Sequence, residues 1–196
     1  MSTSPQQSSR AEQHLTSLAQ LAAKLHANSN DADLWRALDR TLDEVFGHAL
    51  FTVLAFTKQS GATRLYSTNT NLHPLGTRNK SPPGNHEKVP IGNAPPPADR
   101  AAWVQQVLVD GQIWRGQVRE DLKAAFEDWE QLWEADLGSV MNIPIRLSGS
   151  TIGSLNILDE EHKYDAAEFE LGILVAQLVA AFVDRVANKT AKKKTM

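Results

Sequence analysis

Hydrophobic positions change period several times along this chain, and each change marks an element. From Ala11 to His26, Leu15, Leu18, Leu21, Ala22 and Leu25 recur at helical steps, which predicts an amphipathic helix. Asn28 to Asp33 breaks the pattern and supplies several N-cap residues. A second helix carries Leu34, Trp35, Leu38, Leu42, Val45 and Phe46 on one face, with Gly47 expected at positive φ beyond its end. Leu50 to Phe56 is nearly continuous apolar sequence and reads as a central strand. A turn at Lys58 to Gly61 leads to a second strand, Thr63 to Thr68.

Residues 69–98 lose all periodicity and fill with Asn, Pro and Gly, including Pro82-Pro83-Gly84 and Pro95-Pro96-Pro97. Within a compact domain so long a connection is a lid, a binding loop or a disordered insert, with residues 81–98 its Pro-rich part. Helix returns from Asp99 to Val109, with Trp103, Val104, Val107 and Leu108 on one face. A short strand fits Gln112 to Gly116, and a helix fits Glu120 to Ala135, where Phe126, Trp129 and Trp133 lie one turn apart in a stripe.

The last third is the most regular. Met141, Ile143, Ile145 and Leu147 alternate with the other residues of a strand, Ser148-Gly149-Ser150 turns it back, and Thr151 to Leu158 forms its partner. A helix opening near Tyr164-Asp165 then stacks Leu171, Leu174, Val175, Leu178, Val179, Phe182 and Val186 on one broad stripe.

Composition narrows the function classes. A chain of 196 residues can bury roughly 70% of its unfolded surface without a metal or disulfide staple. A net charge of −3 provides no general basic field for nucleic acid or anionic lipid, and Lys192-Lys193-Lys194 reads as a solvated end. Cysteine is absent, which removes disulfides, thiolate metal ligands, thiol nucleophiles and thioether-linked cofactors. The N-terminus is polar, and no apolar run reaches the ~20 residues of a membrane crossing. The expectation is a soluble, cytoplasmic domain over residues 11–187, with residues 1–10 disordered and 188–196 a basic flexible tail. No cofactor, metal, membrane or nucleic-acid partner is expected.

The order Pro144-bearing strand, turn, Ile152-Gly153 strand, acidic loop, Phe169 and a long Leu/Val/Ala/Gln helix resembles the C-terminal half of GAF domains. The segment Arg64-Leu65-Tyr66-Ser67, Asn69 and His73-Pro74-Leu75-Gly76 is similar to that of small stand-alone bacterial GAF proteins. The resemblance covers Leu34 to Val186 in order and spacing. It implies an α+β fold: an antiparallel sheet of about five to six strands, terminal helices on one face, and a ligand cavity with short helices on the other. It also implies small-molecule binding and dimers built through the terminal helices. On those terms Ser67, Asn69 and Ser139 join the ligand-binding candidates.

The residues themselves nominate others. Asn142 and Asn156 place amides in largely apolar strands, where each needs a hydrogen-bond partner from protein, water or ligand. A three-residue hairpin loop sets them directly opposite; a two-residue loop sends them to opposite faces. Arg64 and Tyr66, two apart, share a strand face, and they serve either as an anion clamp with an aromatic wall or as a solvated hairpin side. Phe126 and Trp129 are core or cavity wall, and Trp114 and Asp121 stand where the short strand meets the next helix. Asp121 also qualifies as a helix-first-turn acid. The six histidines show no metal-binding spacing, and His73, near Tyr66, is the candidate acid or base, against a plain surface-loop role.

Three functions fit. The first is a ligand-binding sensor or regulatory domain, with no output module recognisable in the sequence. The second is a cofactor-independent lyase or hydrolase on a small polar substrate, drawing on Tyr66, His73, Arg64 and Asp121. Missing cysteines exclude the methionine sulfoxide reductase chemistry known in the resembled family. The third is an interaction module that binds no ligand.

Overall fold

The computed structural model of the chain describes residues 5–27, 29–57, 61–77 and 103–194. The chain divides into two compact units, Met1–His48 and Ala49–Met196. In the first, helix α1 (Pro5–His26) packs on helix α2 (Asp31–Phe46). α1 begins at Pro5 and so takes in residues 5–10, which composition assigns to a disordered end. Proline is well suited to a first helical position, where its missing N–H costs nothing. The side chain of Asn30 caps α2 by accepting from the Asp33 N–H, and Gly47 follows the helix at φ 72°.

The second unit holds β1 (Leu50–Thr57), β2 (Gly61–Ser67), β3 (Gly76–Thr77), β4 (Trp114–Gly116), β5 (Ser139–Leu147) and β6 (Ser150–Asp159). They form a six-stranded sheet in the order β3-β2-β1-β6-β5-β4, with every neighbouring pair antiparallel. The three central strands are buried on both faces, which explains why Leu50 to Phe56 reads as one apolar run.

Strand alternation sorts residues between the two faces. One face presents Phe51, Val53, Met141, Ile143, Ile145, Leu155 and Ile157 and packs on helix α5 (Phe169–Lys194). Gly172 of α5 sits so close to Ile143 that an added Cβ would lie 3.0 Å from its Cδ1. The opposite face presents Leu50, Leu54, Phe56, Val140 and Leu158, covered by helix α3 (Arg119–Ala125), helix α4 (Trp129–Glu134) and a π-helical segment, Val104–Val109.

Three sequence expectations change. The single helix expected over Glu120 to Ala135 is two helices, because Phe126 is extended at φ −124° and ψ 138°. No Gly or Pro marks that break. It follows from tertiary packing of the Phe126 ring against Trp103 and Trp114, which a continuous helix would turn away. The C-terminal helix starts at Phe169 rather than near Tyr164, since residues 162–167 form turns closed by Asp165 N to His162 O and Ala167 N to Tyr164 O bonds. It also continues to Lys194, through residues expected to form a flexible tail, an Ala/Lys run of good helix formers. The Pro-rich stretch 81–98, most of the Lys58 to Gly61 turn and the Asp99 start of the next helix lie outside the described residues.

Candidate functional site

The face away from α5 carries the polar residues of the sheet. Thr52, Asn142 and Asn156 stand on it in three adjacent strands, with Thr52 opposite Asn156 and Asn156 opposite Asn142. The hairpin loop is of two residues, Ser148 and Gly149, since Leu147 pairs with Ser150. Both loop residues have positive φ, 50° and 80°, as in the turn types that suit hairpin twist. Such a loop should send the amides to opposite faces. A bulge prevents it: Arg146 pairs with Thr151 but Ile145 pairs with Gly153, so Ile152 is the extra residue and the register shifts by one.

The amides lie in one hydrogen-bonded ladder. The Trp103 indole Nε1 donates to Asn142 Oδ1 at 2.9 Å, and Asn142 Nδ2 donates to Asn156 Oδ1 at 2.6 Å. Ser154 Oγ donates to the same Asn156 Oδ1 at 2.9 Å. Asn156 Nδ2 ends the ladder at Thr52 Oγ1, 3.2 Å away, and at the Thr52 carbonyl, 3.4 Å away. Each amide therefore meets the obligation that burial imposes.

Charge enters from β2 and a turn. A second bulge, at Leu65, pairs Val53 with Tyr66 but Leu54 with Arg64, so Arg64 and Tyr66 point to opposite faces. Arg64 joins the polar face, 7% exposed, and donates from Nη1 to the Pro74 carbonyl at 3.2 Å. Tyr66 goes to the α5 side, where its ring lies 5.5 Å from Phe51. The expectation that the two share a face fails because strand periodicity is interrupted between them. His73 is buried, with its Nε2 3.2 Å from Asp128 Oδ2. The turn that carries it is tied by Asn69, whose Oδ1 accepts from the N–H groups of Asn71 and Leu72 and whose carbonyl accepts from His73 N. Ser67 Oγ donates to that same Asn69 carbonyl.

These groups line one cavity of about 20 Å³, room for about one water molecule. Its polar wall is Thr52, Arg64, His73, Asp128, Asn142 and Asn156. Leu54, Trp103, Phe126, Val140 and Leu158 form the apolar wall. Of the sequence candidates, Arg64, His73, Phe126, Asn142 and Asn156 meet here. Ser67 and Asn69 stand back from the cavity and shape the His73 turn.

The remaining candidates hold the frame. Trp114 faces the same side as Asn142, its strand partner, and packs edge-on against Phe126 at 5.8 Å. Trp129 meets Trp133 edge-on at 4.6 Å and lies under the Lys123 ammonium, on α4 rather than in the cavity wall. Ser139 donates to the Glu160 carbonyl at 2.6 Å. Asp121 accepts from the N–H groups of Gln117 and Val118 at the start of α3, so the first-turn acid read in the sequence also caps the helix. Sequence reasoning missed Thr52, Trp103 and Asp128. Trp103 read as one member of a helical stripe, and Asp128 lay inside a helix that the chain does not form. Among the described residues no group of three His, Cys, Asp or Glu side chains could hold a metal ion, and no helix is long and apolar enough to cross a membrane.

No protein-family model matches the chain, and no curated protein matches it in sequence. Solved structures do match in fold. The GAF domain of a phosphoenolpyruvate-protein phosphotransferase from Coxiella burnetii shares 15% identity over 92% of this chain and 98% of its own, with a TM-score of 0.63. The A. aeolicus nlh2 GAF domain in an inactive state shares 10% identity over 89% of this chain and 98% of its own, with a TM-score of 0.61. A domain assigned to a two-component sensor histidine kinase protein from Sinorhizobium meliloti 1021 shares 11% identity, covering 83% and 97% of the two chains, with a TM-score of 0.53. At these identities the likeness is one of fold, and the fold is that of GAF domains.

Proposed function

We propose that this GAF-fold chain binds a small polar molecule in the cavity and acts as a sensor or regulatory protein. The observation that carries the reading is Arg64, a buried cation brought by a bulge onto the face that holds the Asn142 and Asn156 amides. A buried guanidinium beside oriented amides suits a small carboxylate or amide ligand. Bulges also recur beside sites, where they re-aim a side chain. The similar folds in a two-component sensor histidine kinase protein and in a phosphoenolpyruvate-protein phosphotransferase are consistent with this class of work.

The test is native mass spectrometry of freshly purified protein beside its denatured mass, followed by calorimetry with small carboxylates and amides. A mass released on denaturation, or binding that Arg64→Ala weakens at least tenfold, is the expected outcome. A bare protein that binds none of these compounds sinks the proposal.

Association through the terminal helices belongs to the same reading. Leu15 on α1 is 68% exposed, and Ile173 and Leu174 on α5 are 53% and 45% exposed, apolar surface of the kind that marks contacts. Light scattering should give twice the chain mass, and Leu15→Glu with Ile173→Glu should return it to a monomer.

A second reading, an acid–base enzyme, is favoured by one observation: the His73 to Asp128 pair on the cavity wall. A carboxylate that orients an imidazole toward a pocket is a working general-base arrangement. Turnover of a small polar substrate, abolished by His73→Gln while binding persists, would establish it. Retained turnover in that variant would remove it.

A further inference from the structure

The amide ladder has a direction, and the direction selects ligands. Indole Nε1 only donates, so the Asn142 atom facing Trp103 is the carbonyl Oδ1. The far end is fixed independently, because the Thr52 carbonyl that faces Asn156 Nδ2 only accepts. Turning Asn156 over would set two carbonyl oxygens against each other and would force Asn142 over as well. Asn142 Oδ1 is therefore held toward Trp103 by the strand backbone, not by Trp103 alone.

A count of bonds shows which amide has capacity left. Asn156 Oδ1 accepts from both Asn142 and Ser154, and its Nδ2 is committed to Thr52. Asn142 makes one bond from each end, with Trp103 and with Asn156. Asn142 is the member that can meet a ligand, and at its Oδ1 it does so as an acceptor. Trp103 now holds that place, 6% exposed and edge-on to Phe126 at 6.0 Å. The cavity beside it, about 20 Å³, has no room for a second ring. Trp103 directly precedes the π-helical turns Val104–Val109, a rare geometry that recurs at functional sites.

We propose that the ligand is a small flat ring bearing an N–H or O–H donor, and that it replaces the Trp103 indole on Asn142. Trp103 is then a tethered stand-in that closes the site between binding events. This rests on the cavity being the ligand site. A ring of the same shape that offers only an ether or carbonyl oxygen meets oxygen with oxygen. A buried acceptor left without its donor makes that discrimination large.

The test uses the full chain with Trp103→Ala, and indole and benzofuran as probes of equal shape, one with a donor and one without. Thermal shift and calorimetry should show indole binding at least tenfold more tightly, and adding Asn142→Ala should erase the ratio. Equal binding of the two probes, or binding of neither, overturns the proposal. If Trp103→Ala does not fold unaided, refolding by indole and not by benzofuran is the same readout. Trp103→Phe keeps a ring against Phe126 and is read with pyrrole against furan, with the same expected preference and the same overturning result. Failure of the underlying reading looks different. An unaltered chain that binds no small carboxylate or amide, while Trp103→Ala still selects indole, faults the regulatory reading and leaves the donor rule standing. A molecule retained by the unaltered chain that leaves the Trp103 Nε1–H resonance unmoved faults the replacement and leaves the cavity.

Discussion

Asn142 stands opposite Asn156 across a hairpin whose loop is one residue too short to put it there, and the bulge at Ile152 makes up the difference. Ile152 stands out of the pairing, so it is a residue whose removal leaves the rest of β6 in register. Without it the same two-residue loop pairs Gly153 with Ile145 in unbroken alternation, and Asn142 still faces Asn156. Deleting Ile152 should therefore keep cooperative thermal unfolding, read by circular dichroism. A deletion that loses cooperative unfolding would show that the sheet needs the bend of the bulge and not only the register it sets.

The two amides should differ in cost. Asn156→Ala strips partners from Asn142, Ser154 and Thr52 at once, whereas Asn142→Ala strips them from Trp103 and Asn156. With each buried orphan costing about 1–3 kcal/mol, Asn156→Ala should lose at least about 3 kcal/mol and exceed Asn142→Ala in chemical denaturation. The reverse order would mean that water repairs the Thr52 end.

Much of this arrangement was legible in the sequence, and the failures have a common cause. Period-two and helical patterns located the central strands and the long helices, because burial on one face or two leaves a local imprint. Strict alternation allowed Asn142 to face Asn156 only through a three-residue loop, and the chain reaches that pairing instead through a two-residue loop and a bulge. Bulges at Leu65 and Ile152 sit in ordinary strand residues, so strict alternation put Arg64 and Tyr66 on one face when the fold separates them. The break at Phe126 carries no Gly or Pro, and Trp103 finds its partner in a distant strand. Those features are decided by tertiary contacts, which leave no periodic trace.

Gly153 is tied to the same bulge. A Cβ there would sit 2.1 Å from the backbone carbonyl oxygen of Leu54, in the neighbouring central strand. Backbone cannot step aside as a side-chain tip can, so Gly153→Ala should destabilise by roughly 3 kcal/mol. Gly149→Ala, at φ 80° with open space around it, should cost less, since it meets only the backbone preference. Paired thermal melts of the two variants decide the point, and equal losses would place the effect in turn strain rather than in the sheet.

His48 makes the first unit sensitive to pH. Its Nε2 lies 3.1 Å from Asp39 Oδ1, on the helix it follows. Burial works against the charged ring, but the hydrogen bonds to Asp39 and the nearby Asp43 charge outweigh it, and the pKa is raised above the ordinary 6.5. A raised folded-state pKa means that the charged ring is bound more favourably in the folded chain. Its stabilising contribution is fully present below about pH 6.5 and is lost as pH rises through the folded value. The difference in melting temperature between the parent and His48→Gln should therefore shrink as pH climbs from about 6 to 8. An NMR titration should place the His48 midpoint above 6.5. A difference that holds constant across the range, or a midpoint at or below 6.5, would show that the Asp39 contact does not favour the charged ring.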